Sequence, residues 1–346
     1  MIGNRAIGYN HSPFIIAEAG VNHNGRLDLA LKLVDAAKDA GADAVKFQTF
    51  KAEQVVTSQG KMAEYQKKNI GKTESQLTML KKLELKENFY KPIIRHCRKK
   101  GIIFFSTPHG GFESVDFLQS LNVPAFKFGS GDLINLPVLQ YAAKFKKPMI
   151  LGTGMATLKE IKEAINCIKK TGNNKIIVLH CTTNYPCALD EVNLRAMQTM
   201  MKKLNVLVGY SDHTLGVQTA IMAVTLGACV IEKHLTLGKN MPGPDHKTSA
   251  DPKEFKEMAD KIKNVEVIMG SSRKKPAKSE LLIMKTARKS LVSLHDIKKG
   301  EKFTKDNIGI KRPGTGIEPK YFYKIMGRKA KQNIPKDSLI KKRHFI

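Results

Sequence analysis

Eight short runs rich in β-branched and aromatic residues recur along the first 270 residues, separated by longer segments of helical period. They are FIIAEA (14–19), AVKFQ (44–48), IIFFS (102–106), AFKFG (125–129), PMILG (148–152), IIVLH (176–180), VLVGY (206–210) and VIEKH (230–234). Helical segments such as LDLALKLVDAAKDA, FYKPIIRHCRKK, LKEIKEAINCIKK and PKEFKEMADKIKNVEVIM lie between or after them, and Gly41, Gly101 and Gly172 stand where helix ends are expected. Such alternation predicts βα units around a parallel sheet. The count and the size point to an α/β fold, a closed (β/α)8 TIM barrel. A doubly wound open sheet is the runner-up, but it has no need of eight strands and no GxGxxG follows the first run.

The remaining residues change character. SSRKKPAKS (271–279) is polar and aperiodic, and from about Ser290 short β-like pieces alternate with turn signals. IKKGEKFTKDNI (297–308) is weakly echoed by IPKDSLIKKRHF (334–345), which suggests a compact pseudo-symmetric β domain. The expected organisation is therefore a barrel over 1–270, a linker over 271–284 and a small β-rich domain over 285–346. A domain of about 60 residues is marginal alone and is expected to pack on a partner surface.

Composition excludes several classes. With 42% apolar and 26% charged residues the chain is neither disordered nor membrane-spanning, and its start lacks the apolar stretch of a signal peptide, so a cytoplasmic protein is expected. Five cysteines without a CxxC pair suit reduced structural thiols. The net charge of +28 raises a nucleic-acid partner, and 22 basic against 6 acidic residues after Gly270 concentrate it. Lysines dominate over arginines, however, and no arginine-rich run or binding motif occurs, so nucleic acid is not expected as a partner; the same field would attract an anionic substrate.

In a barrel of this kind chemistry lies at the C-terminal ends of the strands. Those ends carry Glu18, Lys46, Gln48, Thr107, Lys127, Ser130, Thr183, Ser211, Asp212, His213, Glu232, Lys233 and His234. Taken singly, each also fits a structural ion pair or a satisfied core histidine; as a ring they point to a site. His213 and His234 end adjacent strands, so both imidazoles are expected to reach one loosely held divalent ion, Mn²⁺ or a similar metal such as Mg²⁺ or Co²⁺, although no third protein ligand is evident. Lys46 and Lys127 with the hydroxyls of Thr107, Ser130 and Ser211 form an expected cradle for phosphate and carboxylate.

At these residues the chain resembles the sialic acid (nonulosonate) synthase family almost from end to end. The resemblance is carried by AEAGVNHNG (17–25), VKFQTFKAE (45–53), STP (106–108), FKFGSGD and NLP (126–137), GTGMAT (152–157), HCTTNYP (180–186), GYSDHT (209–214), EKHLTL (232–237), GPDHKTSADP (243–252) and KRPGTGI (311–317). The C-terminal part resembles that family's antifreeze-like (SAF) domain. This implies a metal-dependent condensation of phosphoenolpyruvate with an N-acyl mannosamine-type sugar, releasing phosphate by C–O cleavage. N-acetylneuraminate synthesis from N-acetylmannosamine is the first expectation. Legionaminate synthesis from 2,4-diacetamido-2,4,6-trideoxymannose is the alternative, with pseudaminate synthesis behind both.

By the same resemblance, Lys46, Thr107, Lys127, Ser130, Thr183 and Ser211 match phosphoenolpyruvate contacts. Gln48, Tyr185 and Asp245 match sugar contacts, Glu18 and Asp132 match acidic residues with a proton role, and His213 and His234 match metal ligands. Arg312 resembles an arginine that reaches into the other subunit's barrel, which implies a domain-swapped homodimer. The chain departs from the family at Asp132, where many members have Glu, and at Gly152 and Thr183, where some have Ser and Asn. It also has His109-Gly110-Gly111 where STPFD is common. A barrel aldolase or a 3-deoxy-sugar-acid synthase would share the lysines and the metal but not the C-terminal domain.

Overall fold

The computed structural model describes residues 1–71 and 74–345 and resolves them into two compact units, Met1–Gly270 and Ser271–Ile346. In the first unit the eight strands are β1 (Phe14–Gly20), β2 (Ala44–Thr49), β3 (Ile103–Pro108), β4 (Phe126–Phe128), β5 (Met149–Gly152), β6 (Ile176–His180), β7 (Leu207–Asp212) and β8 (Val230–His234). All are parallel, in the order β3-β2-β1-β8-β7-β6-β5-β4. The two ends of that order, β3 and β4, lie in contact without a ladder between them, so the sheet curls into a nearly closed barrel with one seam. The expected fold class is thus the observed one.

Each strand is buried on both faces, as a barrel requires, and alternation divides its side chains between two cores. Phe14, Ile16, Ala44, Phe105, Ala125, Ile150, Ile177, Leu179 and Val230 fill the barrel interior. Ile15, Ala17, Val45, Phe47, Phe126, Phe128, Leu151, Val178 and Ile231 point the other way, under the surrounding helices. Those helices are amphipathic: Leu158–Lys170 buries Ile161, Ala164, Ile165 and Ile168, and begins at a capping box between Thr157 and Glu160. Pro252–Met269 is capped by Asp251 in the same manner.

The connection from β2 to β3 is the long one, with short helices at Ala52–Val55, Glu64–Ile70 and Gln76–Leu83 before Glu87–Lys100. Val21, Phe50, Met62, Met79 and Leu83 form a separate small core beneath it. No helix among the described residues is long and apolar enough to cross a membrane.

The second unit is built around an antiparallel pair, β9 (Ser290–Ser293) with β10 (Ile308–Lys311), over a core of Leu291, Ile297, Phe303, Ile308, Ile325, Ile334 and Ile340. Ile297 and Ile334, the first residues of the two echoed segments, exchange backbone hydrogen bonds. A helix at Glu280–Ala287 occupies part of the stretch expected as linker.

Candidate active site

The alternation that places Phe14 and Ile16 inside the barrel also places Glu18 there, two residues on. In the same way Ala44 leads to Lys46, Phe105 to Thr107, Ala125 to Lys127 and Val230 to Glu232. An apolar layer thus fills the lower barrel and a charged layer caps it. A cavity of about 240 Å³ opens above this layer, lined by Glu18, Lys46, Gln48, Thr107, Lys127, Ser130, Thr183, Tyr185, Ser211, His213, His234 and Asp245 among others.

Glu18 and Lys46 are register partners, and the Lys46 ammonium lies 2.9 Å from Glu18 Oε2. It also donates to Thr107 Oγ1 at 3.0 Å and lies 3.6 Å from Glu232 Oε1. Glu232 stands 3.4 Å from Lys127 Nζ as well, so one carboxylate faces both lysines. Gln48 donates from Nε2 to Glu18 Oε1 at 3.1 Å. A bulge between Glu18 and Gly20 re-aims the strand here, and Gly20 sits at φ +53°, where a Cβ would lie 3.3 Å from Glu18 Oε1 and 3.4 Å from Gln48 Nε2.

Burial alone would neutralise such groups, and the ion pairs decide which stay charged. Burial raises Glu18, with the neighbouring charge of Glu232 adding to it against the pull of Lys46. Glu232 is buried too, but Lys127 and Lys46 hold it far below the usual carboxylate range. Burial depresses Lys127, only partly offset by Glu232, whereas Glu18 and Glu232 overcome the burial of Lys46 and raise it. Asp245 is pushed up to about 7 by burial and then by Glu18.

His213 and His234 face the same cavity with ring centroids 5.8 Å apart, and the Tyr185 ring packs on His213 at 4.2 Å, tilted by 35°. Burial, then mutual repulsion, lowers His213 to about 4; burial and Lys46 lower His234 to about 3. Both rings are therefore neutral at pH 7. His213 donates its Nδ1 proton to the Thr182 carbonyl at 2.6 Å, which makes Nε2 an acceptor, 3.3 Å from the Ser211 hydroxyl, and His234 Nδ1 is buried without a partner. No cluster of three or more His, Cys, Asp and Glu side chains set for a metal occurs among the described residues. The donor set fits a divalent ion held by two imidazoles with the rest of its shell open to water and substrate.

Glu232 Oε2 and Thr183 Oγ1 are likewise buried without partners, the mark of a wall built for a polar ligand. Two expected residues stand apart. Asp132 is not on the cavity wall; its Oδ2 lies 2.9 Å from Nδ1 of His109, which is. Arg312 belongs to the C-terminal unit, where its Nε donates to the Ala287 carbonyl at 3.1 Å.

Several wall residues went unassigned in the sequence. Glu232 lies on an inward strand position and Cys181 continues the inward alternation one residue past β6, a signal that the strand period already carries. Tyr65, Gln66, Met79, Leu80 and Leu83 come from the β2–β3 connection, which no strand period points to. Conversely, Asp212 and Lys233 are register partners on the outward side. Lys233 donates to Asp212 Oδ2 at 2.7 Å and to the Thr214 carbonyl at 2.8 Å, away from the cavity.

Residues 33–274 match the NeuB family and residues 288–346 match the SAF domain. An N,N'-diacetyllegionaminic acid synthase of Campylobacter jejuni is 49% identical over 94% of this chain and 98% of its own length. The enzyme of the same name from Legionella pneumophila is 46% identical over 93% and 91%. The crystal structure of an N-acetylneuraminic acid (sialic acid) synthetase from Leptospira borgpetersenii, in complex with citrate, superposes with a TM-score of 0.72 at 33% identity, covering 82% of this chain and 94% of that one. With a charged, imidazole-bearing cavity at the C-terminal mouth of an eight-stranded barrel and a SAF domain later in the sequence, the chain belongs to the NeuB family of nonulosonic acid synthases.

Proposed function

We propose that the protein condenses phosphoenolpyruvate with 2,4-diacetamido-2,4,6-trideoxymannose, forming N,N'-diacetyllegionaminate and phosphate. It is the alternative that the sequence resemblance allows beside N-acetylneuraminate synthesis. Two observations move it ahead of N-acetylneuraminate synthesis: the identity to diacetyllegionaminic acid synthases along nearly the whole chain, and an apolar stretch of cavity wall formed by Val21, Met79, Leu80 and Leu83. Such a wall suits a sugar with a 6-methyl group and two acetamido methyls better than one with a 6-hydroxyl.

The observation that carries the reaction is the pair of buried lysines facing buried carboxylates beneath two neutral imidazoles. Lys46, Lys127 and the hydroxyls of Thr107, Ser130, Thr183 and Ser211 bind the phosphate and carboxylate of phosphoenolpyruvate. Gln48, Tyr185 and Asp245 bind the open-chain sugar. His213 and His234 would hold a divalent ion such as Mn²⁺, which would supply Lewis acidity toward the sugar aldehyde. Glu18, raised by burial yet bonded to Lys46 and Gln48, exchanges a proton with the attacking water and the new hydroxyl. Arg312 holds the N-acyl end of the sugar from the SAF domain of a second subunit in a domain-swapped homodimer. Exposed Val267, Ile268 and Met269 in one unit and Leu281, Leu282 and Ile283 in the other support burial against a second copy.

Phosphoenolpyruvate carrying ¹⁸O in its bridging position tests this directly. C–O cleavage sends the label into phosphate, and mass spectrometry of the nine-carbon acid identifies the product. Label retained in the keto acid would contradict the reaction.

A further inference from the structure

We infer that His109 is a second proton-transfer residue of this site, oriented by Asp132, and that it serves the departure of phosphate. The inference rests on the phosphoenolpyruvate reading above. His109 follows Thr107 by two residues and lines the cavity beside Lys127, Ser130 and Gly131, the expected anion cradle. Its Nδ1 lies 2.9 Å from Asp132 Oδ2, while Asp132 itself stays off the wall. The pair spans the β3–β4 seam, where no backbone ladder joins the strands. Gly129 makes room for the ring: a Cβ at that position would stand 3.0 Å from His109 Cε1. Asp132 Oδ2 is buried and has no other hydrogen-bond partner, so a small turn of the ring 2.9 Å away would place the Nδ1 proton on it and leave Nε2 as the acceptor, the arrangement of an imidazole poised as a base.

The reaction needs such a group. Attack by the alkene carbon turns the sugar aldehyde oxygen into an alkoxide, and water adds to C2. One water proton ends on that oxygen through Glu18. The other remains on the C2 hydroxyl of the tetrahedral adduct. When the C2–O bond to phosphate breaks with its electron pair leaving on phosphate, that O–H bond breaks too and its electrons form the C2 carbonyl. His109 Nε2 accepts this proton and passes it to a phosphate oxygen, so atoms and charge balance without any oxidant or reductant.

The test compares full-length, Mn²⁺-supplemented wild type with His109→Ala, His109→Asn and Asp132→Asn. Asparagine keeps a donor toward Asp132 and so keeps the seam pair. Both His109 variants are expected to lose about 10²–10⁴-fold in kcat with KM for phosphoenolpyruvate changed far less. Added imidazole is expected to restore part of the His109→Ala rate, and Asp132→Asn to lose less than either. A His109→Asn enzyme with wild-type kcat, or a His109→Ala deficit that imidazole leaves unchanged, would overturn the assignment and reduce His109 to a clasp. A wild type that releases no phosphate with any sugar would instead overturn the underlying reaction.

Discussion

Glu18 and Lys46 face each other across the β1–β2 ladder and join at 2.9 Å inside the barrel, both almost fully buried. Lys46 also separates Glu18 from Glu232, so its removal leaves two carboxylates facing each other. Breaking a buried pair from one side costs about 3–5 kcal/mol. We expect Lys46→Ala to lose stability of that order in urea unfolding together with turnover. Glu18→Gln keeps the shape and leaves Lys46 facing Glu232, so it is expected to lower the unfolding midpoint less than Lys46→Ala while kcat falls. Equal midpoints for wild type and Lys46→Ala would contradict the pairing.

Asp212 accepts at Oδ1 from the Thr214 N–H, the Thr214 hydroxyl and the Thr219 hydroxyl, and at Oδ2 from Lys233. This network ties the end of β7 to β8 on the side away from the cavity, immediately before His213. Asp212→Ala strands a buried ammonium and is expected to destabilise the fold by about 3–5 kcal/mol, visible as a large drop in melting temperature. A melting temperature within a degree or so of wild type would show that the network is dispensable.

Asp245 gives a pH signature. Its folded value of about 7 lies above the roughly 3.9 of an unfolded carboxyl. Below about pH 4 both states hold the proton and the group contributes nothing. Between about 4 and 7 only the native state holds it, so stability declines as pH rises, and above about 7 the full penalty of a few kcal/mol applies. Asp245→Asn is therefore expected to raise the melting temperature more at pH 8 than at pH 5. An equal change at both values would place the carboxyl near its ordinary range.

Much of the site was legible because alternation in a barrel strand is strict. Reading 14, 16, 18 as one face yields two core residues and then a functional one, and 230, 232, 234 yields one core residue followed by two that line the cavity, Glu232 and His234. That count also tells Lys46 from Lys233, two strand lysines that composition treats alike: one points into the cavity, the other under the helices. The β2–β3 connection was not legible. Its helices at Ala52–Val55, Glu64–Ile70 and Gln76–Leu83 are too short to form by propensity and are held by packing, so nothing local announces that Tyr65 or Leu83 meets the cavity. The position of Asp132 behind His109 depends on two loops meeting across the seam, which no single stretch of sequence encodes.

His213 and His234 carry the metal proposal. We expect the purified chain to bind Mn²⁺ near stoichiometrically by elemental analysis, and His213→Ala and His234→Ala to retain little of it while keeping their circular dichroism. Full turnover in excess chelator would remove the metal from the mechanism.

The most direct test of the whole account is the rate of phosphate release from phosphoenolpyruvate with each of two sugars, in the presence of Mn²⁺. The expected result is a kcat/KM for 2,4-diacetamido-2,4,6-trideoxymannose at least about tenfold above that for N-acetylmannosamine, the discrimination that one or two lost apolar contacts provide. Preference for N-acetylmannosamine would contradict the substrate assignment, and silence with both would contradict the proposed reaction.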